Sequence, residues 1–344
     1  RRSSDLDVLS SEPSEVLGSM WLTASLPASA ALFNGGRKVM TEVSDFSQRM
    51  GSNQTASLEK MQATAGWMAA FGVTEFTSYY LTSAMDQIVY MIDIGSNIPF
   101  DKNKYQSYCR FVGRLNAVLR EARPDPKVLL YYPIYDLWAE YLPVAEPLGL
   151  GSQTPRAQHL ENSFMQLGRQ LVRSQAAFAL TDHEILATAQ VRDGDLLIKG
   201  HGFEALLLPA EVELPEEVKG LVERFEAAGG YVHRAGQPGA ALDTQKLAAI
   251  QGSGQLNPAC DTVVAGRFVR EGREILLLVN VTDKPYAGRV RLSGAEGWRQ
   301  ADPQSGAMEA CKTAEVNEAE IMLAPNAALF FMGPVNDKKE VAKN

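Results

Sequence analysis

The sequence predicts an α/β protein that ends in an all-β region. Two observations support this fold class. As far as about residue 236, helix and strand patterns alternate, which is typical of parallel sheets covered by helices. From Thr262 to Met332 only short strands separated by turn residues follow, which is typical of a β-sandwich. With 344 residues, the chain is long enough for two or three domains.

The composition of the chain limits the kinds of molecule that the protein is expected to bind. The net charge is −8, with 45% apolar and 22% charged residues, as in ordinary globular proteins. No basic footprint for nucleic acid is present, and no apolar run approaches the roughly 20 residues that span a bilayer. Neither GxGxxG nor GxxxxGK occurs at a strand–helix junction, so a nucleotide site is not predicted. We therefore expect neither a nucleic acid nor a membrane as partner.

Residues 1–126 contain two helix–strand patterns in succession. Pro27 suits the first turn of a short helix, which a glycine pair ends before the strand RKVMTE. A helix over residues 55–71 leads into the strand GVTEFTSYY, and its apolar face, which includes Trp67, is predicted to lie in the core. A longer helix over residues 102–121 completes this part.

Residues 127–236 continue the alternation with apolar strands such as KVLLYYP and FEALLLP. Helices over residues 155–174 and from Pro215 onward cover them, and Asp193-Gly194 between two apolar runs predicts a hairpin. This part therefore predicts a parallel sheet with both faces covered. The remaining parts are predicted as a linker, a β-sandwich and a polar tail, over residues 237–257, 258–334 and 335–344.

Two stretches resemble segments of glycoside hydrolases. ASAALFNGGRKVMTEVSDF, with the following helix and GVTEF, resembles the α-L-rhamnosidases of family 106, in which a helix of small residues, a glycine and a basic residue precede a strand ending in Glu. YQSYCRFVGRLNAVLREARPDPKVLLYYPIYDLWAEY is similar to the helix and strand that leave the barrel in that family. The family 42 β-galactosidases share this exit, which there leads into a flavodoxin-like domain.

The resemblance implies a fold and an activity. Residues 1–126 would be the C-terminal part of a (β/α)8 barrel, 127–236 a flavodoxin-like α/β domain and 258–334 a C-terminal β-sandwich. The implied reaction is hydrolysis of glycosidic bonds in poly- or oligosaccharides by an α-L-rhamnosidase-like enzyme. A β-galactosidase-like retaining glycosidase is one alternative, and a non-catalytic carbohydrate-binding or scaffold protein is another.

Glu42 is the candidate catalytic carboxylate. In a barrel, functional groups project from the carboxyl ends of strands, and Glu42 ends RKVMTE. Glycoside hydrolysis needs two carboxyl groups, about 5–5.5 Å apart for retention and roughly 6.5–9.5 Å for inversion. Glu75 on the next strand is the candidate partner, and a structural pairing with a lysine or arginine is its alternative role.

Three further residues are candidates for substrate binding. Asp45, on the loop after Glu42, would hydrogen-bond a sugar hydroxyl. Tyr79 and Tyr80 lie at or beyond the end of the next strand, where aromatic rings would stack on the apolar face of a sugar. Capping of a helix by Asp45 and burial of the two rings are the structural alternatives.

The first part is short for a barrel, which takes roughly 250 residues. The two predicted strands would be its last two, and the N-terminal RRSSDLDVLSSEPSE lacks both an initiator Met and an apolar signal segment. In the clan A glycosidases that the chain resembles, the nucleophile lies on strand seven. If RKVMTE is strand seven, Glu42 takes that position; in an inverting enzyme it would be the acid or the base. We weigh three explanations: part of a longer enzyme, an α/β unit that is not a barrel, and a relative that binds carbohydrate without cleaving it.

The expected partners are a carbohydrate substrate and either an N-terminal fragment of the same enzyme or further copies of the chain. No Cys or His spacing predicts a metal site, so no cofactor is expected from the residues themselves. Calcium is implied by the resemblance alone. Degradation of polysaccharides favours a secreted or periplasmic location.

Overall fold

The computed structural model describes residues 12–36, 38–43, 57–78, 102–143, 149–237, 241–294, 296–315 and 317–335. Within these ranges the chain forms a mixed α/β fold with several sheets and no closed barrel. None of the helices in these ranges is both long enough and apolar enough to cross a membrane.

The N-terminal elements begin with a 3₁₀ helix and continue as three α-helices and two strands. Their bounds are Pro13–Leu17 for the 3₁₀ helix, Trp21–Phe33 for α1, Met40–Val43 for β1, Leu58–Ala70 for α2, Glu75–Ser78 for β2 and Lys102–Leu119 for α3. The predicted start of α1 is wrong, because Pro27 lies inside the helix. Trp21 holds the extra turns in place: its fully buried ring packs against Phe164 and Phe178.

Helix α2 is buried on all sides. Ser57 caps its first turn by accepting a hydrogen bond from the Lys60 amide, and every residue from Met61 to Ala70 is buried. Trp67 is only 3% exposed, which confirms its predicted place in the core. A helix that is buried all round needs partners on every side, and α2 finds them in α3, the 3₁₀ helix and one of the C-terminal sheets.

The middle of the chain carries nine strands and five α-helices. In chain order they are β3 (Arg123–Pro124), β4 (Val128–Tyr131), α4 (Ile134–Glu140), α5 (Pro155–Arg173), β5 (Phe178–Thr181), α6 (His183–Ala187), β6 (Gln190–Arg192), β7 (Asp195–Ile198), β8 (His201–Phe203), β9 (Ala205–Leu208), α7 (Glu216–Ala227), β10 (Tyr231–Arg234), α8 (Thr244–Gln251) and β11 (Leu256–Asn257). The stretch predicted as a linker thus contains α8 and β11, and Leu247 of α8 is buried in the core.

Four of these strands form a parallel sheet in the order β10-β9-β4-β5. Core residues cover both of its faces, which confirms the prediction for this sheet. The predicted hairpin is confirmed as well: Asp193 and Gly194 adopt φ values of 53° and 87° between β6 and β7. Strand β8 extends this hairpin to three strands.

In the described residues from Val263 to Val335, the regular elements are all strands. They are β12 (Val263–Arg270), β13 (Arg273–Asn280), β14 (Tyr286–Arg291), β15 (Arg299–Ala301), β16 (Met308–Ala310), β17 (Thr313–Glu315), β18 (Glu318–Leu323) and β19 (Ala328–Val335). One sheet has the order β16-β15-β19-β13-β12-β3 and the other β11-β14-β18-β17. Alternate residues of β13 face opposite cores: Leu276 packs in the cluster shared by the two sheets and Leu277 in the cluster that contains α2.

One core cluster runs through all three predicted parts of the chain. It contains Met61 of α2, Phe164 of α5, Leu207 of β9 and Leu277 of β13. The division into domains stays a prediction, and these parts share a continuous apolar interior.

His201 connects the three-stranded hairpin to the rest of the fold. Its Nδ1 atom lies 2.8 Å from Nη1 of Arg123 on β3, so Nδ1 accepts this hydrogen bond and the neutral ring carries its proton on Nε2. The ring also hydrogen-bonds the backbone of Leu32 in α1. Burial, and then the nearby Arg123 cation, lower the pKa of His201 from 6.5 to about 4.

We expect Gly266→Ala to destabilise the protein by about 1–3 kcal/mol or more. A Cβ atom at this position of β12 would lie 2.3 Å from the carbonyl oxygen of Ala70, so the backbones of α2 and β12 must separate. Gly113→Ala is the matched control: its Cβ meets nothing within 4 Å in the middle of α3, and we expect a gain of about 0.5–1 kcal/mol. Urea unfolding measures both changes, and equal stability of Gly266→Ala and the wild type would contradict this packing.

We expect the free energy of unfolding of the wild type to fall from pH 6.5 to pH 4 by more than that of His201→Asn. The folded pKa of His201 lies below its ordinary value, so in this window the unfolded chain binds a proton that the folded chain does not. Asparagine keeps an acceptor for Arg123 and does not titrate. Denaturant titrations at each pH provide the comparison, and parallel pH profiles for the two proteins would show that His201 contributes nothing.

Candidate functional site

The candidate site lies on the parallel pair of strands β1 and β2. Their register joins Met40 to Glu75 and Glu42 to Thr77. The amides of Thr74 and Glu75 both donate to the carbonyl of Val39, which fixes the entry of β2 beside β1. The two carboxyl ends are therefore level, as required for neighbouring strands that contribute to one site.

One face of this pair is covered and the other is open. Val39 and Thr41 are 6% exposed, and Phe76 packs against the main core. Met40 is 51% exposed and Thr77 is also exposed. Glu75, the register partner of Met40, is likewise exposed on the open face.

Glu42 occupies the penultimate position of β1, next to its carboxyl end. The structure describes its backbone only. Its register partner on β2 is Thr77, so the neighbouring strand offers a hydroxyl rather than a carboxylate at this level. The catalytic role of Glu42 stays a prediction.

Glu75 starts β2 and so lies at the amino end of the strand. Its Oε1 atom is 2.8 Å from Nζ of Lys38, in an ion pair whose side chains are 46% and 66% exposed. From the register and the usual strand spacings, the Cα atoms of Glu42 and Glu75 are about 8 Å apart. The ion pair and the amino-end position favour the structural role that the sequence offered as an alternative, and the catalytic role of Glu75 stays a prediction.

The substrate-binding candidates Asp45, Tyr79 and Tyr80 lie outside the described residues. In the part of the chain that is described, no group of three or more His, Cys, Asp or Glu side chains could hold a metal ion.

A second cluster of polar and aromatic side chains lies at the carboxyl edge of the parallel sheet. Helix α4 follows β4 there, and Arg156 at the start of α5 holds it through Asp136 at 3.1 Å and Glu140 at 3.0 Å. Thr154 also donates to Glu140, and these hydrogen bonds, that of Thr154 first, lower the pKa of this carboxyl group. The amide of Glu213 donates to Asp136 and so brings in the loop after β9.

Aromatic rings form the other side of α4. The ring of Tyr135 lies 4.1 Å from that of His183 and 5.3 Å from that of Trp138, measured between centroids. Sequence reasoning missed this helix because it has only seven residues and no side-chain cap. The available signal was the spacing of its carboxylates and of its aromatic residues, four and three positions apart respectively.

The sequence matches no protein-family model and no curated protein. The fold is similar to that of solved glycoside hydrolases. A rhamnosidase from Novosphingobium sp. PP1Y has a TM-score of 0.51 at 13% identity, over 90% of this chain and 33% of its own. The α-L-fucosidase isoenzyme 2 from Paenibacillus thiaminolyticus has a TM-score of 0.58 at 12% identity, over 94% of this chain and 64% of its own.

A β-galactosidase from Bacillus circulans sp. alkalophilus has a TM-score of 0.56 at 11% identity, over 91% of this chain and 58% of its own. The chain therefore spans between one third and two thirds of the length of these three enzymes. At such identities the likeness shows a shared fold, and an activity needs support from the residues of the site.

We expect the ion pair between Lys38 and Glu75 to contribute less than about 1 kcal/mol, because both side chains are well exposed to solvent. A double-mutant cycle of Lys38→Met and Glu75→Gln, followed by urea unfolding, measures this coupling energy. High salt should reduce it further. A coupling energy of several kcal/mol would contradict the exposed pair and would indicate a buried site around Glu75.

Proposed function

We propose that the chain is part of a glycoside hydrolase that cleaves glycosidic bonds in poly- or oligosaccharides, with Glu42 as one catalytic carboxylate. The proposed enzyme is α-L-rhamnosidase-like. Strands β1 and β2 would be the last two of a (β/α)8 barrel, followed by a flavodoxin-like domain and a β-sandwich.

The observation that carries this proposal is the position of Glu42 on a parallel pair. Glu42 lies next to the carboxyl end of β1, beside a neighbouring strand whose carboxyl end is level with it. Catalytic groups of barrel enzymes occupy such positions. The fold likeness to a rhamnosidase over 90% of this chain supports the class of enzyme.

The proposed chemistry needs a second carboxyl group across the scissile bond. In the retaining case Glu42 attacks the anomeric carbon and a second acid protonates the departing oxygen. In the inverting case Glu42 either protonates that oxygen or takes a proton from the attacking water. Within the described residues the register places Thr77 opposite Glu42, so the second carboxyl group would come either from Glu75 at the start of β2 or from a part of the enzyme outside them.

One observation favours a second candidate function, which is carbohydrate binding without cleavage. Glu75 is the described carboxylate nearest to Glu42 along the paired strands, and it is engaged by Lys38 at the amino end of β2. A protein that binds sugars needs no pair of carboxylates around the bond. The two functions differ in whether any turnover occurs.

We expect Glu42→Gln in the complete natural polypeptide to lower kcat for aryl α-L-rhamnosides by about 10²–10⁴-fold, because the amide can neither attack nor transfer the proton. Glu75→Gln makes the same change on the neighbouring strand and separates the two roles of Glu75: a purely structural ion pair with Lys38 leaves kcat within about threefold of the wild type, whereas a loss as large as that of Glu42→Gln would identify Glu75 as the second carboxyl group. Steady-state kinetics on a substrate pair with good and poor leaving groups measures both.

The leaving groups also identify the role of Glu42. If it is the acid, the substrate with the good leaving group should retain much more turnover, since its departing oxygen needs little protonation. Unchanged turnover in Glu42→Gln would refute the assignment. Sugar binding by a wild type that shows no turnover would favour the second candidate function.

A further inference from the structure

Helix α4 presents two different faces. Asp136 and Glu140 lie four residues apart on the face that Arg156 binds. Tyr135 and Trp138 lie three residues apart on another face. The face with Asp136 and Glu140 is therefore fixed by charge-assisted hydrogen bonds to Arg156. The face with Tyr135 and Trp138 takes no part in these hydrogen bonds.

The aromatic face continues into the segment after the helix and is well exposed. We call Tyr135, Trp138, Tyr141 and Leu142 the aromatic surface. Trp138 is 65% exposed, Tyr141 52% and Leu142 42%. All four tryptophans of the chain are described, and the other three are at most 3% exposed: Trp21, Trp67 and Trp298. Trp138 is thus the exception among the four tryptophans.

Neighbouring residues position part of the aromatic surface. Trp138 meets Tyr135 edge-on at 75°, and Tyr135 in turn contacts His183. The side chain of Gln153 accepts from the amide of Leu142 at 2.8 Å and donates to its carbonyl at 3.2 Å. A platform positioned in advance loses little conformational entropy when a ligand binds.

The chemistry around the aromatic surface favours a neutral polyhydroxylated ligand. Indole and phenol rings offer flat apolar faces for the C–H groups of a pyranose. Glu184, which accepts a hydrogen bond from Tyr135, provides a carboxylate beside them for hydroxyl groups. Asp182, Glu184 and Glu213 give this edge an acidic character that disfavours phosphates and nucleic acids.

The size of the aromatic surface argues against a second protein as occupant. A fully exposed aromatic side chain offers about 150–250 Å². The exposed fractions here therefore amount to a few hundred Å², well below the roughly 800 Å² that each partner buries in a stable interface. Two rings spaced along a short segment suit a stretch of saccharide chain instead.

The location agrees with a ligand site. Helix α4 directly follows β4, and the strand order reverses between β4 and β9. In open α/β sheets, ligands bind outside the carboxyl ends of the strands at this reversal. Arg156 binds Asp136 and Glu213 at this edge, and we place the ligand beside them, over the aromatic surface.

We propose that the aromatic surface of α4 is a second saccharide-binding site, separate from Glu42, which holds a neutral glycan chain while the enzyme acts on it. The choice of a glycan rests partly on the proposed glycosidase function. Binding at this site requires no turnover, so the two proposals can fail separately.

The test is native gel electrophoresis of the 344-residue chain in gels that contain a soluble neutral rhamnan or a soluble galactan. We expect at least one of these polymers to retard the wild type. Trp138→Ala and Tyr141→Ala should each raise the dissociation constant at least tenfold. Met322→Ala is the matched control, because Met322 is 78% exposed on β18, far along the chain, and its loss should change nothing.

Tryptophan fluorescence provides a readout that belongs to this site, since Trp138 is the exposed tryptophan. The retarding polymer should shift its emission to shorter wavelength and protect it from acrylamide quenching. Circular dichroism of Trp138→Ala confirms that the variant is folded. Turnover of aryl glycosides by the complete polypeptide should not change in this variant.

Three outcomes would overturn the proposal: no retardation by either polymer, equal retardation of Trp138→Ala and the wild type, or a dimer that Trp138→Ala converts to a monomer. Retardation that depends on Trp138 without hydrolysis of any substrate would retain this site and refute the proposed catalytic function. Hydrolysis of a substrate without retardation in the gel would refute this binding site and retain the proposed catalytic function.

Discussion

The structure depends on how closely helix α2 approaches the sheet that contains β12, β13 and β19. A Cβ on Gly66 would lie 3.3 Å from Val279, and one on Gly266 would overlap the backbone of Ala70. Both surfaces therefore need small residues. Without bulky side chains between them, the helix and the sheet come close enough for direct dispersion contacts. Because β13 is buried on both faces, this contact also fixes the sheet against which the last part of the chain packs.

The same helix determines where the candidate site lies. Gly72, at φ 105°, ends α2, and the amide of Val73 returns to the carbonyl of Met68. Strand β2 follows three residues later and pairs with β1 in parallel. The covered face of this pair, with Val39 and Phe76, belongs to the same core cluster as α2, which in turn contacts β12 and β13. A substitution at Gly266 that displaces the backbone of α2 would therefore shift the strand pair indirectly.

Much of this fold could be predicted, and the failures have physical causes. Long amphipathic helices such as α5 and the Asp193-Gly194 turn carry local signals, and both were predicted within a residue or two. The start of α1 could not be predicted, because tertiary contacts of Trp21 outweigh the usual placement of a proline in the first turn. Helix α4 was missed since it is stabilised by Arg156, a residue sixteen positions beyond Glu140.

In the candidate site, too, some features follow from the local sequence and others depend on residues that lie far away in the chain. A carboxylate at the end of a short strand is visible in the sequence, and the structure places Glu42 on such a strand. The role of Glu75 depends instead on Lys38, because an ion pair at the amino end of β2 gives its charge a partner away from the strand's carboxyl end. The register places Thr77 opposite Glu42, so the strand pair itself puts a hydroxyl group, and not a second carboxyl group, at this level. A single carboxylate with a hydroxyl neighbour can orient or protonate a sugar, and it becomes a hydrolytic site only when a second carboxyl group completes the pair.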